Sequence, residues 1–244
     1  MQVLGLIGAR KGSKGIPNKN TKLLGGRPLI TYAFAAALHS RRLTRTVLST
    51  DGADIAALGR CAGIDVPFMR PDDLACDDSP ATAYIQHCLE FLQRQEQYRP
   101  DIVVLLQPTA PLRSASDIDA CVDLLVRSNA DCVVSVAELA RQYHPKWQFT
   151  LHTDGRLSPN AGSWNSVASS RQQLAPTYTR NGAVYAFRTD VFLRTGSLYG
   201  NNVLGYVMPP ERSVNIDDMD DWRRAEQLIG CGPNQKLYKR AGVI

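Results

Sequence analysis

The stretch Val3-Leu4-Gly5-Leu6-Ile7-Gly8-Ala9-Arg10-Lys11-Gly12-Ser13-Lys14-Gly15-Ile16-Pro17-Asn18-Lys19-Asn20 decides how this chain is read. Its first five residues are an apolar run with strand character. Directly behind them comes a glycine-rich loop carrying Arg10, Lys11, Lys14 and Lys19. Glycines let backbone N–H groups approach an anion closely, and the cations neutralise it. The loop is not a Walker A motif, because Lys14 is followed by Gly15 where that motif needs Ser or Thr. Nor does it hold a Gly-x-Gly-x-x-Gly dinucleotide turn. Taken alone, the loop fits a phosphate site and a solvated basic turn equally well.

Outward from the loop, apolar runs alternate with helical patterns through the first 135 residues. Strands are expected at residues 2–7, 46–50, 65–69, 102–106 and 132–136. Helices are expected at 29–38, 54–61 and 116–126, with Pro28 in the first turn of the first. Ile85, Cys88, Leu89 and Leu92 fall at i, i+3, i+4 and i+7, one face of a further helix. The unbroken apolar run 102–106 reads as a central parallel strand covered on both faces. This alternation predicts a doubly wound α/β sheet with helices on both sides. Ligands of such sheets bind beyond the carboxyl ends of the strands. The important loops are then those after Ile7, Thr50, Leu106 and Phe187.

The rhythm breaks at residues 139–178, a polar stretch with Pro145, Gly155, Pro159, Gly162 and Pro176. Tyr143, Trp147, Phe149 and Trp164 are spaced through it, more aromatics than a disordered loop carries. It is expected to be an insertion packed on another surface, such as a second subunit. Strands at 183–187 and 203–208 and helices at 189–193 and 221–229 follow. An irregular tail is expected at 231–244.

Bulk composition bounds the partners. Of 244 residues, 44% are hydrophobic and 21% charged, with a net charge of +5. That is an ordinary balance for one large α/β domain. No continuous basic face with interleaved aromatics points to nucleic acid, and no apolar run reaches membrane length. The six cysteines form no Cys-x-x-Cys pair and mostly lie in apolar patterns, so disulfides and a zinc site are not expected. With no secretory signal visible, a reducing cytoplasm is the expected location.

Four further segments can carry chemistry. Gln107-Pro108-Thr109-Ala110-Pro111-Leu112-Arg113 is a rigid loop behind the buried strand, with Gln107 and Arg113 as donors or as parts of a capped turn. In the segment from Arg70 to Thr82, Ser79 suits a helix cap ahead of Pro80. Arg70 and Ser79 also suit a planar base edge. Arg171 and the run Arg180-Asn181-Gly182-Ala183-Val184-Tyr185 combine a turn signal with two arginines fit for a carboxylate. In Val214-Asn215-Ile216-Asp217-Asp218-Met219-Asp220-Asp221, alternation puts Asn215 and Asp217 on one face of a strand end. Near a polyphosphate loop, such oxygens suit Mg²⁺, which takes one or two carboxylates plus phosphate and water. Asp218 and Asp221 read as helix caps. No Ser-His-Asp or Cys-His set has recognisable spacing, and the histidines are scattered.

Together these segments resemble the acylneuraminate cytidylyltransferases, the CMP-sialic acid synthetases. The likeness runs through residues 3–229. It rests on Ala9-Arg10-x-x-Ser13-Lys14-Gly15-Ile16-Pro17-x-Lys19-Asn20, on Leu106-Gln107-Pro108-Thr109-x-Pro111-Leu112-Arg113, and on Arg171-Gln172-Gln173-Leu174 with Asn181-Gly182-Ala183-Val184-Tyr185. The acidic segment at 215–217 completes it. The resemblance implies a Rossmann-like nucleotide-diphospho-sugar transferase fold over residues 1–230, with a mixed, mostly parallel sheet. It implies transfer of CMP from CTP to the anomeric hydroxyl of a nonulosonic acid, with Mg²⁺ and release of pyrophosphate. By position, Arg10, Lys14 and Lys19 hold the triphosphate and serve catalysis. Asn20, Arg70 and Ser79 read cytosine and ribose, Gln107, Arg171, Asn181 and Tyr185 face the sugar acid, and Asp217 binds metal. The insertion at 139–178 corresponds to a homodimerisation region. One position departs: the family commonly has Asp-Ile-Asp where this chain has Asn215-Ile216-Asp217, so the metal arrangement is open. A cytidylyltransferase for 3-deoxy-manno-octulosonate and a catalytically silent nucleotide-binding relative are the competing readings.

Overall fold

Ile102-Val103-Val104-Leu105-Leu106 is apolar at every position, so a strand made of it must be covered on both faces. All five residues are buried, and the rest of the architecture is arranged around them. The structure, a computed structural model, describes residues 1–231. The expected tail lies outside them, except that Cys231 ends the last helix.

The chain runs β1 (Val3–Gly8), β2 (Leu23–Leu24), β3 (Arg27–Pro28), α1 (Leu29–Leu38), β4 (Arg45–Ser49), α2 (Ala53–Cys61), α3 (Ala81–Glu96), β5 (Ile102–Leu106), α4 (Ala115–Ser128), β6 (Cys132–Glu138), β7 (Phe149–Leu151), β8 (Leu157–Pro159), β9 (Tyr178–Arg188), α5 (Thr189–Thr195), β10 (Val203–Val207) and α6 (Met219–Cys231). Six strands make the main sheet in the order β10-β6-β9-β5-β1-β4, while β2-β3 and β7-β8 are separate hairpins. β1 pairs in parallel with β4 and β5, and β10 with β6. β9 runs antiparallel to both β5 and β6.

That one reversed strand corrects two expectations. β5 is central and buried, but only one of its neighbours is parallel. The loop after Phe187 is not at the ligand edge either, because Arg188 pairs with Ile102 at the start of β5. The beginning of β9, around Arg180, lies at the carboxyl ends of the other strands instead. The insertion between β6 and β9 therefore joins two antiparallel strands at the ligand edge, where no crossover helix is required. β9 also starts earlier than residue 183, since Thr179 and Tyr178 pair with Ala137 and Glu138. Residues 65–69 make a single bridge, Val47 to Asp65, in place of a strand. Pro67 has no N–H to extend a ladder. Pro28 and Pro80 each take the extended cap position before α1 and α3, one residue earlier than a first-turn proline. Ser79 accordingly does not cap α3.

Alternation sends Ile7, Val104 and Val133 toward α1, α2 and α4. Leu6, Leu105 and Tyr185 face the other side, with α3 and α5. A third cluster lies off the sheet: Ile16 from the glycine-rich loop packs with Leu24, Leu29, Leu112, Ile216 and Trp222. Ile16 is 1% exposed, so an otherwise polar loop is pinned by one apolar side chain to α6 and to the segment before it. Cys88, Cys121 and Cys132 are buried free thiols, as their apolar settings suggested. Replacing Ile16 with Ala should cost about 2–4 kcal/mol of unfolding free energy in urea titrations, by the usual cavity and transfer costs. An unchanged midpoint would show that the loop is anchored elsewhere.

Candidate active site

The glycine-rich loop leaves the end of β1, and the loop after β5 and the segment 70–79 ahead of α3 lie beside it. Together with the N-terminal turn of α3 they enclose a cleft of about 310 Å³. Arg10, Lys19, Asn20, Arg70, Ser79 and Gln107 all line it. Two of the three phosphate-loop candidates, the base-reading candidates and the first sugar-facing candidate thus share one cleft, while Lys14, 77% exposed, does not line it.

Lys19 is half-buried, and its Nζ donates to the Ile216 carbonyl at 2.8 Å. Burial lowers its pKa, opposed by the nearby carboxylates of Asp217 and Asp221. Asn20 Nδ2 donates to the Arg10 carbonyl at 2.9 Å, so this side chain also braces the loop it belongs to. Arg10 and Lys14 both ion-pair with Asp77, Lys14 at 2.7 Å. Those hydrogen bonds, Lys14 first and Arg10 second, hold the Asp77 carboxyl below the usual carboxylate range. Gly15 is required by close approach: a Cβ there would lie 2.6 Å from the Asp217 carbonyl oxygen.

Arg70 is buried and positioned by the end of β4. Its Nε donates to Ser49 Oγ at 3.0 Å and its Nη2 to the Ser49 carbonyl at 2.6 Å. The guanidinium lies 4.2 Å from the centre of the Tyr84 ring, a cation–π arrangement that fixes its plane. Burial lowers its pKa from the ordinary arginine value. Tyr84 also lines the cleft. No side chain caps α3, whose first residue, Ala81, lies on the cleft wall. Its uncapped N–H groups favour negative charge there.

Three sugar-facing candidates are placed differently from Gln107. Asn181 is 3% exposed. Its Oδ1 accepts from Ser135 Oγ at 2.6 Å, and its Nδ2 donates to Ser213 Oγ at 3.0 Å. The expected sugar contact is replaced by a structural role: Asn181 and Ser135 fill a register shift where β6 and β9 lose pairing. The Asn181-Gly182 pair is accordingly a bulge inside β9, not a turn before it. Tyr185 is buried on the α3 face; burial raises its phenol pKa, opposed by Arg180. Arg171 sits exposed in a short 3₁₀ turn of the insertion, apart from the cleft residues. Arg113, expected to offer donors at the edge, is 2% exposed and turned inward. Its Nη1 donates to the Ala183 carbonyl at 2.6 Å and the Gln107 carbonyl at 3.1 Å, tying the β5 loop to β9.

The acidic segment belongs to no strand, and the alternation holds: Val214 and Ile216 are buried, while Asn215 is half-buried and Asp217 exposed. Thr109 Oγ1 donates to Asn215 Oδ1 at 2.7 Å, and Asn215 Nδ2 donates to Asp217 Oδ2 at 2.8 Å. An amide oxygen facing that carboxylate would repel it, so the orientation is fixed by chemistry. Asn215 therefore orients Asp217, and its own oxygen accepts from Thr109 with one of its two lone pairs. The two oxygens expected from sequence as metal ligands, Asn215 Oδ1 and the Asp217 carboxylate, thus belong to one hydrogen-bonded side-chain pair. Among the described residues no group of three or more His, Cys, Asp or Glu side chains converges on a metal position. An exposed Asp217 beside the basic glycine-rich loop fits Mg²⁺, for which one carboxylate plus phosphate and water suffices. Gly182 closes this corner with φ of +71°, and a Cβ there would lie 2.7 Å from Gln107 Oε1 and 2.8 Å from Asn215 Oδ1.

Asp77, Tyr84 and Thr109 line the cleft without having been assigned a role from sequence. For Asp77 a signal existed: a carboxylate between Arg70 and Ser79, facing a loop of opposite charge.

A family model described as cytidylyltransferase matches residues 4–199. A CMP-N,N'-diacetyllegionaminic acid synthase of Legionella pneumophila is 32% identical over 94% of this chain and 97% of its own length. An N-acylneuraminate cytidylyltransferase of Escherichia coli is 30% identical over 97% of this chain, which spans 54% of that longer protein. A solved CMP:2-keto-3-deoxy-manno-octonic acid synthetase complexed with CTP is similar in fold, with a TM-score of 0.70 and 15% identity over 94% of this chain and 99% of the other. With its glycine-rich loop and every residue lining the cleft inside the matched span, the chain belongs to the cytidylyltransferase family of nucleotidyltransferases.

Proposed function

We propose that the protein transfers CMP from CTP to the anomeric hydroxyl of a nonulosonic acid and releases pyrophosphate. The observation that carries this reading is the convergence of Arg10, Lys19, Asn20 and Arg70 on one cleft at the carboxyl ends of the parallel strands. The legionaminate and acylneuraminate relatives supply the acceptor class. In the reaction the anomeric hydroxyl gives up its proton to solvent, its oxygen forms a bond to the α-phosphorus, and the bond from that phosphorus to the oxygen bridging to the β-phosphate breaks, so that pyrophosphate leaves. Such a displacement depends on positioning and charge neutralisation more than on covalent catalysis. Arg10, Lys14 and Lys19 neutralise the phosphates and the charge growing on pyrophosphate, while Arg70, held flat by Ser49 and Tyr84, faces the nucleoside with Ser79. Gln107 stands on the acceptor side, and Arg171, whose turn is exposed, is assigned to the sugar carboxylate by resemblance. Mg²⁺, bound by Asp217 and the phosphates, would neutralise further phosphate charge. No helix among the described residues is long and apolar enough to cross a membrane, and the cytoplasm is the location we infer.

The insertion is assigned to homodimer contact. Leu151 is 69% exposed and Trp164 57% exposed, and Phe149 stacks on Trp164 at 5.6 Å. A small hairpin with this much exposed apolar surface suits burial against a symmetry mate. Light scattering should return about twice 26.8 kDa. A monomer of full activity would remove that role from the insertion.

The enzymatic reading is tested by pyrophosphate release from CTP with a panel of nine-carbon acids and 3-deoxy-manno-octulosonate. Turnover should appear with one of the nine-carbon acids and fall by about two decades in Lys19→Ala, the usual cost of one lost transition-state donor. Turnover with the eight-carbon acid alone would move the assignment to that substrate. Because Asn215 donates to Asp217, Asn215→Asp should place two carboxylates together and tighten Mg²⁺ binding, read by calorimetry on the CTP-loaded protein. Asp217→Ala should abolish that binding. Retention of Mg²⁺ binding by Asp217→Ala would place the metal elsewhere.

A further inference from the structure

The cations of the glycine-rich loop already hold an anion that belongs to the protein. Asp77 Oδ1 pairs with Arg10, and Asp77 Oδ2 with Lys14 at 2.7 Å, so each carboxylate oxygen takes one cation. Asp77 comes from a different element, the loop between the 3₁₀ turn Asp72–Leu74 and α3. It lines the same cleft as Arg10, Ser13 and Lys19. The contact is reversible by its surroundings: the Asp77 side chain is 34% exposed, Arg10 32% and Lys14 77%. A triphosphate and a carboxylate cannot both use these two cations without facing each other as like charges, and the more highly charged anion wins.

We propose that Asp77 is a positioning residue that acts as a place-holder. Without nucleotide it keeps Arg10 and the exposed Lys14 gathered at one point of the cleft wall. It yields them to the triphosphate, and it reclaims them as pyrophosphate leaves. This rests on the triphosphate reading of the cleft and adds a competitor to it. The carboxylate lowers affinity for substrate and product alike, and it hastens product departure. Exposed ion pairs are individually weak, so the effect is set at roughly three- to tenfold.

The test is calorimetric titration of CTP, and separately of inorganic pyrophosphate, into wild type, Asp77→Asn, Asp77→Glu and Asp78→Asn. Asp77→Asn should bind both ligands about three- to tenfold tighter, with the gap narrowing as salt is raised. In turnover it should lower KM for CTP without raising kcat. Asp77→Glu, which keeps the carboxylate, should stay near wild type. Asp78→Asn removes the same charge one residue away and should change little. Weaker or unchanged binding in Asp77→Asn would make Asp77 a brace for the loop or a bystander and overturn the proposal. Equal tightening by Asp78→Asn would overturn it as well, by reducing the effect to net charge. A wild-type protein that binds neither ligand would instead strike the triphosphate reading, and the place-holder with it.

Discussion

Arg10, Lys11, Lys14 and Lys19 share one short loop, and like charges so close repel one another. A loop of this kind collapses outward into solvent unless something holds it. Besides the Asn20 brace within the loop and the Lys11 N–H bond to Asp51, three contacts with other segments do so here. Ile16 is sunk in the apolar cluster with Trp222 and Ile216. Lys19 is bonded to the Ile216 carbonyl. Asp77 pairs with Arg10 and Lys14. Two of the three lead to the same few residues before α6, so the loop and the acidic segment keep one relative position. Asp217 reaches the neighbourhood of the phosphate cations for that reason, although about two hundred residues separate them in sequence.

A second set of bonds extends this arrangement across the sheet. The Thr109 carbonyl accepts from the Ile216 N–H at 2.8 Å, while its hydroxyl holds Asn215. Arg113 bridges the carbonyls of Gln107 and Ala183 from below. Arg212, just ahead of the acidic segment, is paired with Asp117, whose side chain is 0% exposed, at the first turn of α4. A buried carboxylate of this kind is costly to leave alone, and Ser114 and Tyr206 also bond it. Each loop of the cleft is therefore held by polar contacts to its neighbour, and few cleft residues depend on their own loop for position.

Much of the layout was legible in local sequence. Leu29–Leu38 is a helix over the residues its pattern predicts, because a ten-residue apolar stretch, broken only by Thr31, has the length of a helix and not of a strand. The 102–106 run was legible as a buried strand for the same reason. The direction of β9 was not, since an apolar strand reads alike whichever way its neighbours run. With it went the edge on which Phe187 ends. Asn181 shows a different limit. Asn-Gly carries turn chemistry in either setting, and only the partner Ser135, on another strand, turns it into a filled bulge. The Asn215 amide was legible as an oxygen source, yet its orientation follows from Thr109 and Asp217 together. Contacts across long sequence separations decided every one of these cases.

The reversed strand also bears on how this scaffold can diverge. In a parallel sheet, a segment between adjacent strands must travel back along a face, and altering it disturbs a packed layer. Residues between β6 and β9 have no such journey to make. They leave and return at the same rim, with Glu138 beside Tyr178. Their length and chemistry can be rewritten with little effect on the layers beneath. That rim can therefore be exchanged as a cassette, while the cleft lined by the loops after β1 and β5 and by the segment ahead of α3 stays as it is.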